Sequence, residues 1–425
     1  MTFNLRVEKL VFGGDGLGHH QGRTVMIPRV VPGELVEAEE IQTAKGVTHA
    51  RPLRVLEPAA ERVEAPCPYF GKCGGCQYQH VRDDLQPERK REILRETLRR
   101  IGKITWDREI EIHAAHPWNY RNQAQFKVSR TGGGLEIGYY EAESHRLVAI
   151  DECKILSPRL NEILRALRRE DVCEYLRPAR EIELRADDRD EKVMLTLDGE
   201  FDPAGAGSAA RSLLGRLPGV ASVAIPRDGR FEVFGDSALT YQVGEFRYRV
   251  SPGSFFQAAR HLLADFVRTA TGDEKGSLAL DLFAGVGLFT LPLARAFGRV
   301  LGVEGNRRAS ADLAANARDH HLDNIQVASE SIYDFLRRFA RAGPDLAVLD
   351  PPRAGVGEQS LALLAKLRPA RLHYVSCHPP TLARDLAHLA RLGYAIISIA
   401  MFDLFPQTAH IECVAKLTRS GHAGS

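Results

Sequence analysis

The sequence predicts an α/β protein with a separate all-β module at its start: a small β-barrel, a mixed α+β middle, and a doubly wound, mostly parallel sheet at the end. Three observations predict it. Short runs rich in Val, Leu and Ile over residues 5–56 are interrupted by Gly13-Gly14-Asp15-Gly16, His20-Gln21-Gly22 and Val31-Pro32-Gly33, the rhythm of closely spaced strands and tight turns. From 119 to about 250 strands recur, including 125–129 and 135–140 across Gly132-Gly133-Gly134, with a helix near 158–169. After Ser277 apolar strands at 278–282, 300–303, 325–328, 346–349 and 372–375 alternate with amphipathic helical segments. That alternation builds parallel sheets whose ligands bind beyond the carboxyl ends of the strands.

The 425 residues exceed one compact core, and the composition shifts divide them into 1–57, 58–250 and 251–425. Hydrophobic content of 44% and charged content of 26% are those of a globular protein. The first residues lack the basic-then-apolar layout of a signal peptide. The most apolar stretch, 278–297, carries Asp281, Arg295 and several glycines, which argues against a membrane span. A cytoplasmic chain is expected. Its net charge of +2 identifies no partner by itself, because positive potential can be confined to one groove. A helix over 84–101 carries Arg89, Lys90, Arg91, Arg95, Arg99 and Arg100 around an apolar stripe, either an ordinary solvated face or a contact for RNA phosphates. The Gly- and Ala-rich stretch 202–208 reads as a surface loop, and the polar tail from Ser420 as disordered.

The first strand of the parallel region runs into Asp281-Leu282-Phe283-Ala284-Gly285-Val286-Gly287. Glycines at such a turn let a ligand approach the backbone closely. About 20 residues beyond Gly285, Glu304 ends the next strand, where a carboxylate accepts hydrogen bonds from ribose hydroxyls. A dinucleotide site lacks its third glycine here, since Gly287 is followed by Leu288-Phe289-Thr290. Asp-x-Phe-x-Gly-x-Gly followed by an acidic strand end resembles the S-adenosylmethionine methyltransferase pattern instead.

Two further strands end in Asp350-Pro351-Pro352-Arg353 and Ser376-Cys377-His378-Pro379, and both point into the same crevice. Enzymes that methylate exocyclic amines commonly carry an aromatic residue after the two prolines; Arg353 stands there, which favours attack from a ring carbon. Carbon 5 of uracil is a poor nucleophile. A thiolate adding to carbon 6 activates it, and a base then removes the carbon-5 proton so that the thiol is eliminated. Cys377 fits the first role. Glu412, in Gln407-Thr408-Ala409-His410-Ile411-Glu412-Cys413, fits the second if burial raises its pKa from about 4.3, and His410 is placed on the same strand face.

The combination of Asp350-Pro351-Pro352-Arg353, Ser376-Cys377-His378-Pro379-Pro380-Thr381-Leu382-Ala383-Arg384-Asp385 and His410-Ile411-Glu412 resembles the RNA uracil-5-methyltransferase family, the RlmD and TrmA group. The resemblance implies a Rossmann-like class I methyltransferase domain, Cys377 as nucleophile and Glu412 as base. It also implies Gln257, in Ser254-Phe255-Phe256-Gln257, together with Phe283, Glu304 and Asp350, as the S-adenosylmethionine site. Leu288, Ser331 and His378 stand where members often have Asn.

Cys67, Cys73 and Cys76 form Cys-x5-Cys-x2-Cys, and Cys153 follows far downstream. Four thiolates serve a zinc site or an iron-sulfur cluster, and spacing alone does not choose. The same resemblance implies a [4Fe-4S] cluster. Cys173 and Cys413 read as free, buried thiols. The N-terminal barrel, with Gly13-Gly14-Asp15-Gly16-Leu17-Gly18 and Val31-Pro32-Gly33-Glu34, is similar to the OB-like TRAM module, which implies RNA binding with Phe12, Arg23 and Arg29 as candidate contacts. The expected partner is RNA, 23S rRNA ahead of tRNA, acted on by a monomer away from membranes. The alternative outside enzymes is a non-catalytic RNA-binding or ribosome-assembly factor.

Overall fold

The computed structural model describes residues 1–131, 134–339 and 343–420. The expected turn at Gly132-Gly133 and the tail beyond Ser420 lie outside the described residues. The N-terminal strands are β1 (Thr2–Arg6), β2 (Lys9–Leu10), β3 (Gly16–His20), β4 (Arg23–Ile27), β5 (Leu35–Ala44) and β6 (Val47–Glu57), in one six-stranded sheet ordered β1-β5-β6-β4-β3-β2. Its two edges, β1 and β2, are consecutive pieces of one extended stretch. Val7 N donates to Glu34 O at 2.9 Å and Glu8 N to Leu17 O at 2.8 Å, so this stretch pairs with both ends of the sheet and closes it. Gly18 permits that approach, because a Cβ there would lie 2.4 Å from the Arg6 carbonyl oxygen. Leu5, Val25, Ile27 and Val36 fill the interior.

Helix α1 (Gln86–Gly102) starts with Pro87 in its first turn, where a missing N–H costs nothing. Ile93, Leu94 and Leu98 join Leu10 and Val31 of the N-terminal sheet in a common core. The basic face expected on α1 is largely spent on internal pairs. Lys90 is fully buried with Nζ 2.7 Å from Asp403 Oδ1, Arg89 pairs with Glu61 and Glu92, Arg91 with Glu88, and Arg100 with Glu96.

The middle of the chain contributes β7 (Glu111–Ala114), β8 (Gln123–Thr131), β9 (Gly134–Tyr140), β10 (Leu147–Ala149), α2 (Pro158–Ala166), α3 (Glu170–Cys173), β11 (Ala179–Ala186), β12 (Val193–Gly199), α4 (Pro203–Arg216), β13 (Val220–Arg227), β14 (Arg230–Gly235), β15 (Leu239–Val243) and β16 (Phe246–Val250). Strands β8 to β14 form a seven-stranded sheet ordered β10-β9-β8-β11-β12-β13-β14, and β15 pairs with β16. The loop expected over 202–208 is instead the start of α4. Asp202 Oδ1 accepts from Gly205 N at 2.8 Å, and Ala206, Ala210 and Leu213 are buried beneath the sheet; tertiary burial overrides the weak helix propensity of glycine.

The last part contains α5 (Leu263–Thr271), β17 (Gly276–Leu282), α6 (Thr290–Ala296), β18 (Phe297–Val303), α7 (Arg307–Asp319), β19 (Ile325–Ala328), α8 (Ile332–Arg338), β20 (Leu346–Leu349), α9 (Glu358–Leu367), β21 (Arg371–Ser376), α10 (Pro379–Arg391), β22 (Tyr394–Asp403) and β23 (Glu412–Arg419). They build an eight-stranded sheet ordered β19-β18-β17-β20-β21-β23-β22-β7. Strands β17 to β21 run parallel, whereas β23 is antiparallel to both neighbours. Strand β7 adds from the middle of the chain. Both faces are covered: Leu280, Leu349 and Tyr374 point into the core beneath α1, α9 and α10, while Ala279, Val348 and Val375 point into the core beneath α5, α6 and α7. Two-sided burial explains why these strands read as continuous apolar runs. No helix among the described residues is long and apolar enough to cross a membrane.

Replacing Lys90 with Met strands Asp403 in the core without its partner. Urea denaturation is expected to read a loss of about 3–5 kcal/mol, and adding Asp403→Leu, which removes the second charge, to recover most of it.

Candidate active site

The strand order reverses between β17 and β20, and the crevice beyond their carboxyl ends is where an open sheet of this kind takes a ligand. Phe283, just past β17, has φ of 69°, and Gly285 and Gly287 have φ of 55° and 97°. Phe283 is held in this left-handed conformation because its N–H and that of Ala284 both donate to Val303 O at 3.0 Å. The two glycines do different work. A Cβ on Gly287 would lie 2.4 Å from Leu313 Cδ1, so its bareness serves packing of the turn on α7, whereas a Cβ on Gly285 would meet nothing within 4 Å. The Gly285 side therefore faces open space. Glu304 stands beside it, accepting from Gly285 N at 2.8 Å and from Asn306 N at 2.6 Å.

Asp281 at the end of β17 is fully buried; Thr290 Oγ1 donates to its Oδ2, while Oδ1 has no partner among the described residues. Burial, reinforced by Glu304 against the opposing Thr290 bond, pushes its pKa up to about 7. Burial followed by repulsion from Asp281 does the same to Asp350, also about 7. An orphaned buried carboxyl oxygen, a glycine opening onto free space and an acidic strand end fit a cationic nucleoside ligand such as S-adenosylmethionine. Gln257 is buried, next to Phe256, which belongs to the same hydrophobic core as Ala284 and Val286 of the turn.

Pairing of β21 with β23 builds the rest of the site. Ser376 is opposite Cys413 in the last pair of the antiparallel register, and the residues adjoining that pair, Cys377 and Glu412, are near enough for the Glu412 charge to act on the thiol. Glu412 is only 5% exposed. Burial and then Asp350 hold its carboxyl well above the ordinary range, against Arg353. The Cys377 thiol is pushed up to about 11 by burial, then by Glu412 and Asp350, with Arg353 opposing. Cys377, Glu412, Asp350 and Arg353 thus share one electrostatic neighbourhood.

His410 lies in the loop before β23 rather than on the strand expected. Its Nδ1 is 3.2 Å from Arg353 Nη2, and burial and nearby Arg353 lower its pKa to about 4, so it is neutral. His378 caps α10 by accepting from Thr381 N, and Ser331 caps α8 by accepting from Asp334 N. Phe12, a candidate RNA contact in the sequence, sits edge-on against His378 with ring centroids 5.0 Å apart. Sequence reasoning passed over Asp281 as an ionisable group, because nothing local says that its strand end is sealed.

Cys67, Cys73, Cys76 and Cys153 line one largely apolar cavity, with Tyr139 and Ile150 among its walls. All are free thiols. Burial pushes Cys76 up to about 12 and Cys153 to about 11, and raises Cys73. Four thiols collected in a place that disfavours thiolates fit a positively charged inorganic group. Among the described residues, however, no three His, Cys, Asp or Glu side chains stand in a geometry that could hold a metal ion. Cys413 is buried as expected, while Cys173 is partly exposed.

A family model described as tRNA (uracil-5-)-methyltransferase matches residues 233–420. An RNA methyltransferase of Thermosynechococcus vestitus is 34% identical over 99% of this chain and 98% of its own. The 23S rRNA (uracil(1939)-C(5))-methyltransferase RlmD of Alkalilimnicola ehrlichii is 34% identical over 98% of this chain and 96% of its own. Among solved structures, the Pyrococcus abyssi tRNA (uracil-54, C5)-methyltransferase in complex with S-adenosyl-L-homocysteine is 26% identical with a TM-score of 0.75, covering 98% of this chain and 100% of that one.

The two raised carboxyls set a pH dependence. Asp281 and Asp350 ionise near pH 4 when unfolded and near 7 when folded, so the folded state binds more protons in that interval and stability falls as pH rises through it. Unfolding midpoints measured from pH 4 to 8 are expected to decline less steeply in Asp350→Asn than in the parent chain.

Proposed function

The chain belongs to the RNA uracil-5-methyltransferase family and is an S-adenosylmethionine-dependent RNA methyltransferase, and from that premise we propose that it methylates carbon 5 of a uridine in 23S rRNA through Cys377 and Glu412. The observation that carries this is the closeness of Cys377 to a buried Glu412 at the ends of the paired strands β21 and β23, with Asp350 acting on both.

In this reading the Cys377 thiol gives its proton to water as its sulfur bonds to carbon 6 of a uracil flipped into the crevice, and the carbon-5 enolate takes the methyl group of the sulfonium, releasing S-adenosylhomocysteine. Glu412 then accepts the carbon-5 proton; its electron pair re-forms the carbon 5–carbon 6 double bond and expels the Cys377 thiolate. A buried carboxylate with a raised pKa is a stronger base than an exposed one. Arg353 faces the charges that build up on the ring and the thiolate. Gln257, Phe283, Glu304 and Asp350 hold the cofactor. The likeness to RlmD at higher identity favours rRNA; the tRNA reading rests on the Pyrococcus likeness over the same length.

The closed N-terminal sheet serves in this reading as an OB-like TRAM module that holds RNA, and 1–57, 58–250 and 251–425 as the working divisions of a cytoplasmic monomer. The cysteine cavity takes a [4Fe-4S] cluster through Cys67, Cys73, Cys76 and Cys153. What supports a cysteine-bound inorganic group is that the four thiols line one cavity, and the choice of a cluster over zinc rests on the resemblance. The cluster's part is to hold the polypeptide between these residues.

Incubation with 5-fluorouridine-substituted RNA and cofactor is expected to give a denaturation-resistant adduct. Cys377→Ala forms none, whereas Glu412→Gln accumulates a methylated adduct even on ordinary uridine RNA; an adduct retained in Cys377→Ala would refute the nucleophile. Mapping 5-methyluridine in rRNA and tRNA with and without the gene decides the substrate. Anaerobically purified protein is expected to be brown, with iron and acid-labile sulfide in equal amounts that Cys73→Ser loses. Stoichiometric zinc from iron-replete cells would instead establish the zinc site.

A further inference from the structure

The loop 404–411, between β22 and β23, delivers His410 and Glu412 yet has little strand pairing of its own. Other parts of the chain hold it. Lys90 Nζ donates to Phe405 O at 3.0 Å and Tyr120 OH to Pro406 O at 2.9 Å. Gln407 is fully buried with φ of 67°, a conformation that persists in a bulky residue only when its surroundings over-determine it. They do: Gln407 O accepts from both Gln77 N and Tyr78 N at 2.9 Å, Gln407 N donates to Gln86 Oε1 at 2.9 Å, and Gln86 Nε2 donates back to Gln407 Oε1 at 3.0 Å.

One side chain in this clamp spans two places of different purpose. Gln77 Oε1 accepts from Ala409 N at 3.0 Å, while Gln77 Nε2 donates to Gly74 O at 3.0 Å. Ala409 is three residues before Glu412, and Gly74 lies between Cys73 and Cys76. Gly74 is itself fixed, since its N–H donates to Tyr140 O at 3.1 Å and a Cβ on it would be 3.2 Å from Ala142 N. Cys377 depends on none of these bonds; it is carried by β21 and α10.

Building on the uracil reading above, we infer that Gln77 is a positioning residue for Glu412: it ties the loop that leads into the base, at Ala409, to the backbone between Cys73 and Cys76. The clamp serves proton removal from carbon 5, and thiol attack and methyl transfer proceed without it. A displacement on the order of 1 Å in a reacting group can cost about 100-fold. Loosening this clamp therefore slows the elimination step alone, and the methylated Cys377 adduct outlives its formation.

The test uses the full-length protein as purified. Gln77→Met keeps the side-chain length and removes both bonds; Gln77→Glu keeps the acceptor for Ala409 N and loses the donor to Gly74. For Gln77→Met the expected result is kcat on uridine RNA lower by about 10- to 100-fold, KM for RNA and S-adenosylhomocysteine affinity unchanged, and a denaturation-resistant methylated adduct accumulating on ordinary uridine RNA. Adduct formation with 5-fluorouridine RNA, which needs no proton removal, stays at the parent rate. Gln77→Glu restores turnover at least partly. Parent-like turnover in Gln77→Met, or equal loss of turnover, cofactor binding and 5-fluorouridine adduct, overturns the inference. Absence of any adduct in the parent protein overturns the uracil reading itself, and the inference with it.

Discussion

Antiparallel pairing of β23 against β21 is the constraint on which the site depends. Five parallel strands place their carboxyl ends at one edge of the sheet, so a cofactor turn, Asp350 and Cys377 arrive there by topology alone. A sixth parallel strand could deliver another residue only from its end. By running the other way, β23 presents its beginning, and its first residue, Glu412, comes beside Cys377. A shift of one residue in this register would turn Glu412 to the other face and aim Cys413 at the site in its place.

The same arrangement concentrates charge that folding would otherwise avoid. Asp281, Asp350 and Glu412 are all held above their ordinary range, each with burial as the largest cause. Such groups lower stability at neutral pH, and the surroundings compensate through Thr290, Arg353 and the apolar cores on both sheet faces. This is the usual relation between an active site and its scaffold: perturbed acids persist because the rest of the fold tolerates them.

Segments far away in the chain hold the site together. Lys90 on α1 reaches Asp403 and Phe405, the cysteine segment reaches Gln407 and Ala409, and Phe12 from the N-terminal sheet rests on His378. The three compositional divisions are therefore not three independent bodies around the crevice. Strand β7 and helix α1, which composition groups with the middle of the chain, complete the sheet and the core of the last part.

Much of this was legible without coordinates. The strands at 325–328 and 346–349 coincide with β19 and β20, and the other three parallel strands with β17, β18 and β21 to within a few residues, because buried parallel strands must be continuously apolar. Asp350 and Cys377 were legible because each directly follows such a strand. The sequence by itself thus determined the parallel sheet, its glycine turn and the places of Asp350 and Cys377 just beyond strand ends, all written in short-range pattern. Tertiary structure alone decided what depends on distant partners: that 202–208 is helical, that Lys90 is a core ion rather than a surface charge, that His410 sits in a clamped loop, and that Asp281 is sealed from water. Burial is a property of what packs against a residue, and no local spacing encodes it.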